Sequence, residues 1–364
     1  MGHLLHEPFK LRCGAVLPNR IALAPLTNKQ SLPDGRLGDD ELGWIARRAD
    51  GGFGLIETCA AYVARDGKAW DGELGVDRDA LLPGLTRLAE RIQRGGAVGL
   101  VQLFHGGVRA DPNLTGERPW SASTWQEDTK DFVEPRPATE RDIQRVIRQF
   151  VDAAVRAEAA GFAGVELHGA HGYLFSQFLS RTMNPRTDGW GDDLVGRARL
   201  LREVTRAVRL RCRSSFVVGV RLSLEDYFNA RGMDLDDNLQ VAAWLAEDGV
   251  DFVHASLWDF TRMTTKRPEA HPLTLLRAAL PSEVAVIGCG KVWSLADAEA
   301  MLARGADIVS LGRSAILNPD WPIQSRDEKW LPLRPPMTRA DLIERSVSPN
   351  FAVYLRAFRG LVAD

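Results

Sequence analysis

Two imidazoles and a phenol lie within six residues of one another in the segment 163–180, AGVELHGAHGYLFSQFLS. A strand-like run, Val165 to Leu167, stops at His168, and His171 and Tyr173 follow on the turn behind it. The three side chains are hydrogen-bond donors, and an unperturbed phenol has a pKa near ~10. Such a set suits a site that holds a carbonyl oxygen and then delivers a proton. One histidine at a strand end is commonly structural, but three polar groups massed there point to a site. An HxxH spacing can also ligate zinc. No nearby carboxylate or thiolate completes a set with His168, His171 and His105, so no metal is expected. His105 itself either lines the site or caps its loop.

Strand-like and helix-like segments alternate along the chain and must position these groups. Strands are expected at Arg20–Pro25, Phe53–Thr58, Val98–Phe104, a run ending at His168, Phe216–Leu222, Asp251–Ser256, Val284–Gly288 and Ile308–Gly312. Helices are expected over 39–49, 81–94, 140–160, 194–210, 236–248, 272–280 and 295–304. Thr139 reads as the N-cap of the third, with Asp142 in its first turn. His105–Pro137 and Gly169–Asp192 read as loops. Eight strands alternating with helices, with no break in composition, give one (β/α)8 TIM barrel domain over residues 1–364, with excursions in the strand–helix loops. A doubly wound open sheet permits the same alternation, but no strand is followed by the GxGxxG turn that seats a dinucleotide.

In a barrel the site is assembled at the carboxyl ends of the strands. Those ends present Pro25 and Thr27, Ala60, Gln102, His168 and His171, Arg221, Gly290, and Gly312 with Arg313. Gly288-Cys289-Gly290-Lys291 and Ser310-Leu311-Gly312-Arg313-Ser314 follow strands seven and eight, where barrels commonly bind phosphate. Glycines let backbone N–H groups approach an anion, and an arginine clamps it with two donors. Arg221, in FVVGVRLS, is a charge at the end of a buried strand and needs a partner. That partner is either an electron-rich ring or an ordinary ion pair with Glu225 or Asp226. Gln102, if buried, must be hydrogen-bonded, and its amide suits an imide edge.

Taken together, APLT (24–27), ETCAAY (57–62), VQLFHGG (101–107), VELHGAHGYLFSQFLS (165–180), NPRTDGWG (184–191), VGVRLS (218–223) and SLGRSAILNPDWP (310–322) resemble the old yellow enzyme family of FMN-dependent ene-reductases. The resemblance implies that Pro25, Thr27, Ala60, Gln102 and Arg221 surround the flavin ring, with Arg221 at its N1 and O2 edge. It implies that Gly290, Gly312 and Arg313 hold the FMN phosphate. His168 and His171 would bind the oxygen of an α,β-unsaturated carbonyl or nitro substrate, and Tyr173 would donate the proton. NADH or NADPH would reduce the flavin in the same site, so no separate dinucleotide fold is needed. The chain departs from the family pattern at Val195-Gly196, where a Glu-Asn pair commonly precedes the arginine here numbered 197. It also departs at Thr27, where one subfamily has cysteine, and at Phe104, where some members have tryptophan. Arg356 and Arg359 are candidates to reach a neighbouring subunit's site in a homo-oligomer, although a solvated helix face fits their context better.

Composition bounds the alternatives. Formal charge is 46 basic against 48 acidic residues, and no basic tract appears, which argues against nucleic acid as a partner. No run approaches a membrane span of ~18 apolar residues. Cys13, Cys59, Cys212 and Cys289 are far apart and form no CxxC, which fits reduced thiols and a cytoplasmic setting. The N-terminal segment carries His6, Glu7 and Lys10 and does not read as a signal peptide. Two other functions remain consistent with these residues: a colourless phosphate-binding lyase or isomerase, and a flavin binder without turnover.

Overall fold

The computed structural model describes residues 4–129, 131–227 and 229–363. Eight parallel strands form the barrel: β1 (Ile21–Leu23), β2 (Leu55–Tyr62), β3 (Val98–Phe104), β4 (Gly164–Gly169), β5 (Val217–Leu222), β6 (Phe252–Ala255), β7 (Ala285–Cys289) and β8 (Ile308–Leu311). Each pairs with its sequence neighbours, and β8 pairs with β1 to close the ring. A closed parallel barrel leaves no edge, so every strand is covered on both faces. This is why the strands read as nearly unbroken apolar runs.

Seven long connections carry helices on the outside: α1 (Asp39–Asp50), α2 (Leu82–Arg94), α3 (Glu140–Ala159), α4 (Leu194–Arg211), α5 (Leu235–Glu247), α6 (Pro272–Ala279) and α7 (Leu295–Ala303). The expected Thr139 cap is a full capping box. Thr139 Oγ1 accepts the Asp142 N–H, and the Asp142 carboxylate accepts the Thr139 N–H. Two expectations need correction. Strand two, expected over Phe53–Thr58, spans Leu55–Tyr62, because a register shift between Glu57 and Ala60 absorbs Thr58 and Cys59 and lets pairing continue. Strand one is confined to Ile21–Leu23, since Pro25 has no N–H to extend the ladder.

The expected loops hold short elements. Trp120–Ser121 pairs with Arg136–Pro137, and a six-residue helix, Leu174–Leu179, follows Tyr173. At the amino ends of the strands, a small hairpin pairs Phe9–Lys10 with Val16–Leu17. Its Leu11 and Leu17 pack into a cluster with Leu55, Leu100, Val217, Phe252 and Ile287 that fills the lower barrel. Gly219 makes room for the Phe252 ring, since a Cβ there would overlap it. The plug sends the functional end to the opposite mouth.

Candidate active site

One cavity of about 390 Å³ opens at the carboxyl ends of the strands. Pro25, Thr27, Ala60, Gln102, His168, His171, Tyr173, Arg221, Gly290, Gly312 and Arg313 all line it. The eleven positions come from seven strand ends, which only a closed barrel brings together. His105 does not line it. It is buried behind the wall, 3.6 Å from Asp66 and tilted against Trp120, with centroids 4.9 Å apart. That contact resolves it as a loop-holding residue and removes it from any zinc set with His168 and His171.

The loop bearing the donors is held from beneath by Gln177, which is fully buried. Its Nε2 donates to the carbonyls of Gly106 and Gly172 at 3.0 and 2.8 Å, and its Oε1 accepts the Val108 N–H and the Ser121 hydroxyl. His171 has φ of 63°, a left-handed conformation uncommon outside glycine and concentrated at functional sites. Its N–H donates to Ser223 Oγ at 3.0 Å, which secures that geometry. The imidazole centroids of His168 and His171 lie 5.1 Å apart, and that of His168 lies 5.0 Å from the Tyr173 ring. Phe104 meets Tyr173 edge to face at 4.5 Å.

A backbone hydrogen bond assigns the His168 tautomer. The Ala170 N–H donates to His168 Nδ1 at 3.3 Å, so His168 carries its proton on Nε2. Ser256 Oγ accepts the Arg221 Nε–H at 3.1 Å and lies 2.6 Å from His171 Nε2. Ser256 Oγ keeps both its proton and a second lone pair, so its bond to His171 Nε2 fits either neutral tautomer of that ring. Burial lowers both imidazoles well below the usual histidine range; His171 and Arg221 push His168 further down, and Arg221 does the same to His171. Both are neutral donors. Burial raises the Tyr173 phenol, so it keeps its proton well into alkaline solution.

Arg221 is buried and bonded to Ser256, with Nη2 3.5 Å from Cys289 Sγ. The alternative ion pair is not its arrangement: Glu225 accepts the N–H groups of Thr265 and Lys266, and Asp226 those of Gly232 and Met233. Gln102 donates from Nε2 to Glu166 Oε1 at 2.7 Å. Gly290 has φ of 127° and sits against the Leu257 carbonyl and the Asp259 and Phe260 backbone nitrogens, so no side chain fits there. Arg313 lies 5.2 Å above the Trp258 ring, and burial lowers its pKa. The hydroxyls of Ser310 and Ser314 are buried with no protein partner, although native buried polar groups are nearly always bonded.

Several lining residues had no counterpart in the sequence reading. Phe351, Tyr354, Phe358 and Leu361 fold back from the C-terminal helix (Pro349–Leu355) and its tail onto the mouth, joined by Trp258 and Trp293. Their spacing of three and four residues was the available signal. Arg356 and Arg359, on the same segment, are exposed. The Val195-Gly196 departure also has a physical account. A side chain at Gly196 would strike the Gly191 carbonyl, and Arg197 anchors the loop itself, reaching Asp237 at 2.7 Å and the Leu179 and Asp192 carbonyls.

Residues 4–330 match the NADH:flavin oxidoreductase / NADH oxidase family. The chain belongs to that family. It is 32% identical over 329 residues to the probable NADH-dependent flavin oxidoreductase YqiG of Bacillus subtilis (strain 168), covering 89% of this chain and 88% of the relative. It is 33% identical to the NADPH dehydrogenase of Bacillus licheniformis, covering 87% and 92%. The old yellow enzyme homologue of Zymomonas mobilis superposes with a TM-score of 0.83 at 25% identity, covering 96% and 98%, and morphinone reductase with 0.81 at 26%, covering 94% and 93%. The chain spans only 33% of the NADH:acrylate oxidoreductase of Vibrio harveyi and 39% of the NADH:fumarate oxidoreductase of Klebsiella pneumoniae, which it also matches. It is a NAD(P)H-dependent flavin oxidoreductase of the old yellow enzyme type. The lyase, isomerase and non-catalytic alternatives fall away. Among the described residues, no helix is long and apolar enough to cross a membrane.

Proposed function

We propose that the protein is an FMN-dependent ene-reductase that reduces activated alkenes, either α,β-unsaturated carbonyl or nitro compounds. The observation that carries this reading is the convergence on one cavity of two neutral imidazole donors and a protonated phenol above Gln102 and Arg221. The cavity lies within the ~300–1,000 Å³ range of small-molecule sites. Its residues suit FMN. Arg221 supplies positive charge for the pyrimidine edge, and Gln102 keeps its carbonyl for an imide N–H. Gly290, Gly312 and Arg313, with the unpartnered Ser310 and Ser314 hydroxyls, supply the donors a phosphate requires. Pro25, Thr27 and Ala60 complete the walls around the ring.

The chemistry that FMN would supply in this site, after reduction by NADH or NADPH, is hydride donation to the alkene's β carbon. The protein does the rest. His168 Nε2–H and the N–H of the neutral His171 ring hold the substrate's carbonyl or nitro oxygen, where negative charge builds as the hydride arrives. Each such preorganised donor stabilises that charge by about 3 kcal/mol. Because both imidazoles are neutral, they donate without giving up the proton. Tyr173 then protonates the α carbon, and the Phe104 contact holds its ring in place.

The visible spectrum of the purified protein tests this reading. Flavin bands are expected, with a new long-wavelength band when a phenol is added and stacks on the ring. A colourless protein that cannot take up added FMN would sink the proposal.

A further inference from the structure

The barrel's middle level holds a group of ionisable side chains that none of these steps uses. Glu57 on β2, Glu166 on β4 and His254 on β6 are sealed from solvent, at 1%, 0% and 0% exposure. One carboxylate or ring atom from each lies within 4.8 Å of the others. Gln102 is the register partner of Glu166, and Arg221 that of His254, so the group sits directly under the proposed flavin site.

The bonding within it is uneven. Glu166 accepts Gln102 Nε2–H at 2.7 Å and the His254 Nδ1 proton at 2.8 Å. Glu57 has no such donor: His254 Nδ1 stays 3.6 Å from its Oε1, and neither of its oxygens has a hydrogen-bond partner. An ionised carboxylate left so would lose its hydration with nothing in exchange, a cost of several kcal/mol. A neutral carboxyl needs only an acceptor for its proton, and Glu166 is the neighbouring one. Burial and the Glu166 charge raise Glu57 well above the usual carboxylate range. Burial opposes the charge on Glu166, but His254 and Arg221 outweigh it and hold that carboxyl low. Burial likewise opposes protonation of His254, and Glu166 more than offsets it. Arg221 and Cys289 face the group from β5 and β7, and His168 and His171 from the mouth.

We propose that Glu57, Glu166 and His254 form one proton-holding unit in which Glu57 stays neutral, so that Glu166 is the layer's single carboxylate charge set against Arg221 beneath a reduced flavin. This rests on the flavin reading above. Glu57 has no donor to balance a charge of its own. Ionised, it would add a second negative charge to the layer and disfavour the ring when it holds two more electrons.

Two measurements test the unit. A difference infrared spectrum of the protein as purified, wild type minus Glu57→Gln, should contain the carbonyl stretch of a protonated carboxylic acid at pH 8. Midpoint potentials of the bound flavin are compared at pH 6, below the value of about 7 at which Cys289 titrates. Burial raises that thiol, and Arg221 and His254 bring it down. Glu57→Gln, which mimics the neutral acid, should leave the potential in place. An ionised Glu57 would instead show itself as a rise of about 30 mV or more on its replacement, a tenfold gain in preference for the reduced cofactor. Absence of the infrared band, a raised potential in Glu57→Gln, or a stoichiometric divalent metal by elemental analysis overturns the unit. If Glu57→Gln does not fold, Glu57→Leu serves both comparisons. Failure to retain FMN with the band intact refutes the flavin reading and the coupling together. Loss of the band with FMN retained refutes the unit alone.

Discussion

The two ends of the barrel are built on opposite terms. At the floor, Leu55, Leu100, Phe252 and Ile287 interlock with Leu11 and Leu17 of the N-terminal hairpin and leave no room. At the mouth, the strands of the barrel end in His168, Arg221, Gly290 and Gly312 around a cavity. Glu57, Gln102, Glu166 and His254 stand between. Moving up the interior, the side chains pass from apolar, to polar groups that bond one another around the unbonded Glu57, to polar with donors facing the cavity. The contrast teaches that one fold divides its tasks by height: the floor supplies stability, and the mouth supplies chemistry bought with unsatisfied groups.

That division can be broken from either end. Phe252→Ala should cost about 3–5 kcal/mol of stability, as a buried ring lost from a close-packed core does. Chemical denaturation checks it, and the chemical half-reactions of the surviving folded fraction should be nearly unchanged. Tyr173→Phe is the converse. Alkene reduction should slow by about 10²–10⁴-fold, the usual range for a positioned acid, while flavin reduction by nicotinamide and the unfolding midpoint stay close to wild type. Stopped-flow measurement of the two half-reactions separates them. Equal losses in both would assign the tyrosine the wrong task.

The pH response sharpens the comparison further. His168 and His171 have pKa values held low in the fold and near ~6.5 when unfolded. The unfolded chain therefore binds more protons below that value, and their burial reduces stability as pH falls through it. Through the range from 6.5 to 9, however, both rings remain neutral and Tyr173 remains protonated. Of the groups at the site only the Cys289 thiol, brought to about 7, changes charge there, so the rate of alkene reduction by pre-reduced enzyme should show no loss from the imidazoles or the phenol. A sigmoidal fall centred near 6.5 would show that one imidazole titrates normally and is not the buried donor described here.

Much of this architecture was legible before any coordinates. Strand and helix order could be read because a two-sided parallel strand must be apolar throughout, and an outer helix must alternate. The cavity's polar residues could be read because they stand where apolar runs stop. The middle level could not. Glu57, Glu166 and His254 each interrupt an apolar run, in LIETCAAY, GVELHG and FVHA, and that was the signal. One polar residue within a strand does not say which way it points. Only the register that sets Gln102 beside Glu166 and Arg221 beside His254 shows that the interruptions share one level. The aromatic cover from Phe351, Tyr354 and Phe358 was hidden for a different reason. An amphipathic face reveals that it is covered, not what it covers.

The smallest effect belongs to the rim, where the mouth carries stability of its own. Asp66 accepts Trp120 Nε1–H at 3.0 Å and Arg145 Nη2–H at 2.8 Å and faces His105 at 3.6 Å. It thereby joins the loops after β2 and β3 to α3. Burial works against its charge, but His105, Trp120 and Arg145 overcome it and hold the carboxyl well below the ordinary range. A depressed folded-state pKa gives stability that is present above the unfolded value near ~3.9 and is lost as pH falls below it. Asp66→Asn should therefore cost about 1–2 kcal/mol at pH 7, discounted for the partly exposed arginine. The difference from wild type should shrink as the pH is lowered through 4 towards 3. The Phe252→Ala deficit involves no proton and should keep its size over the same interval. Parallel pH dependence in the two variants would mean that floor and mouth do not divide their labour by charge.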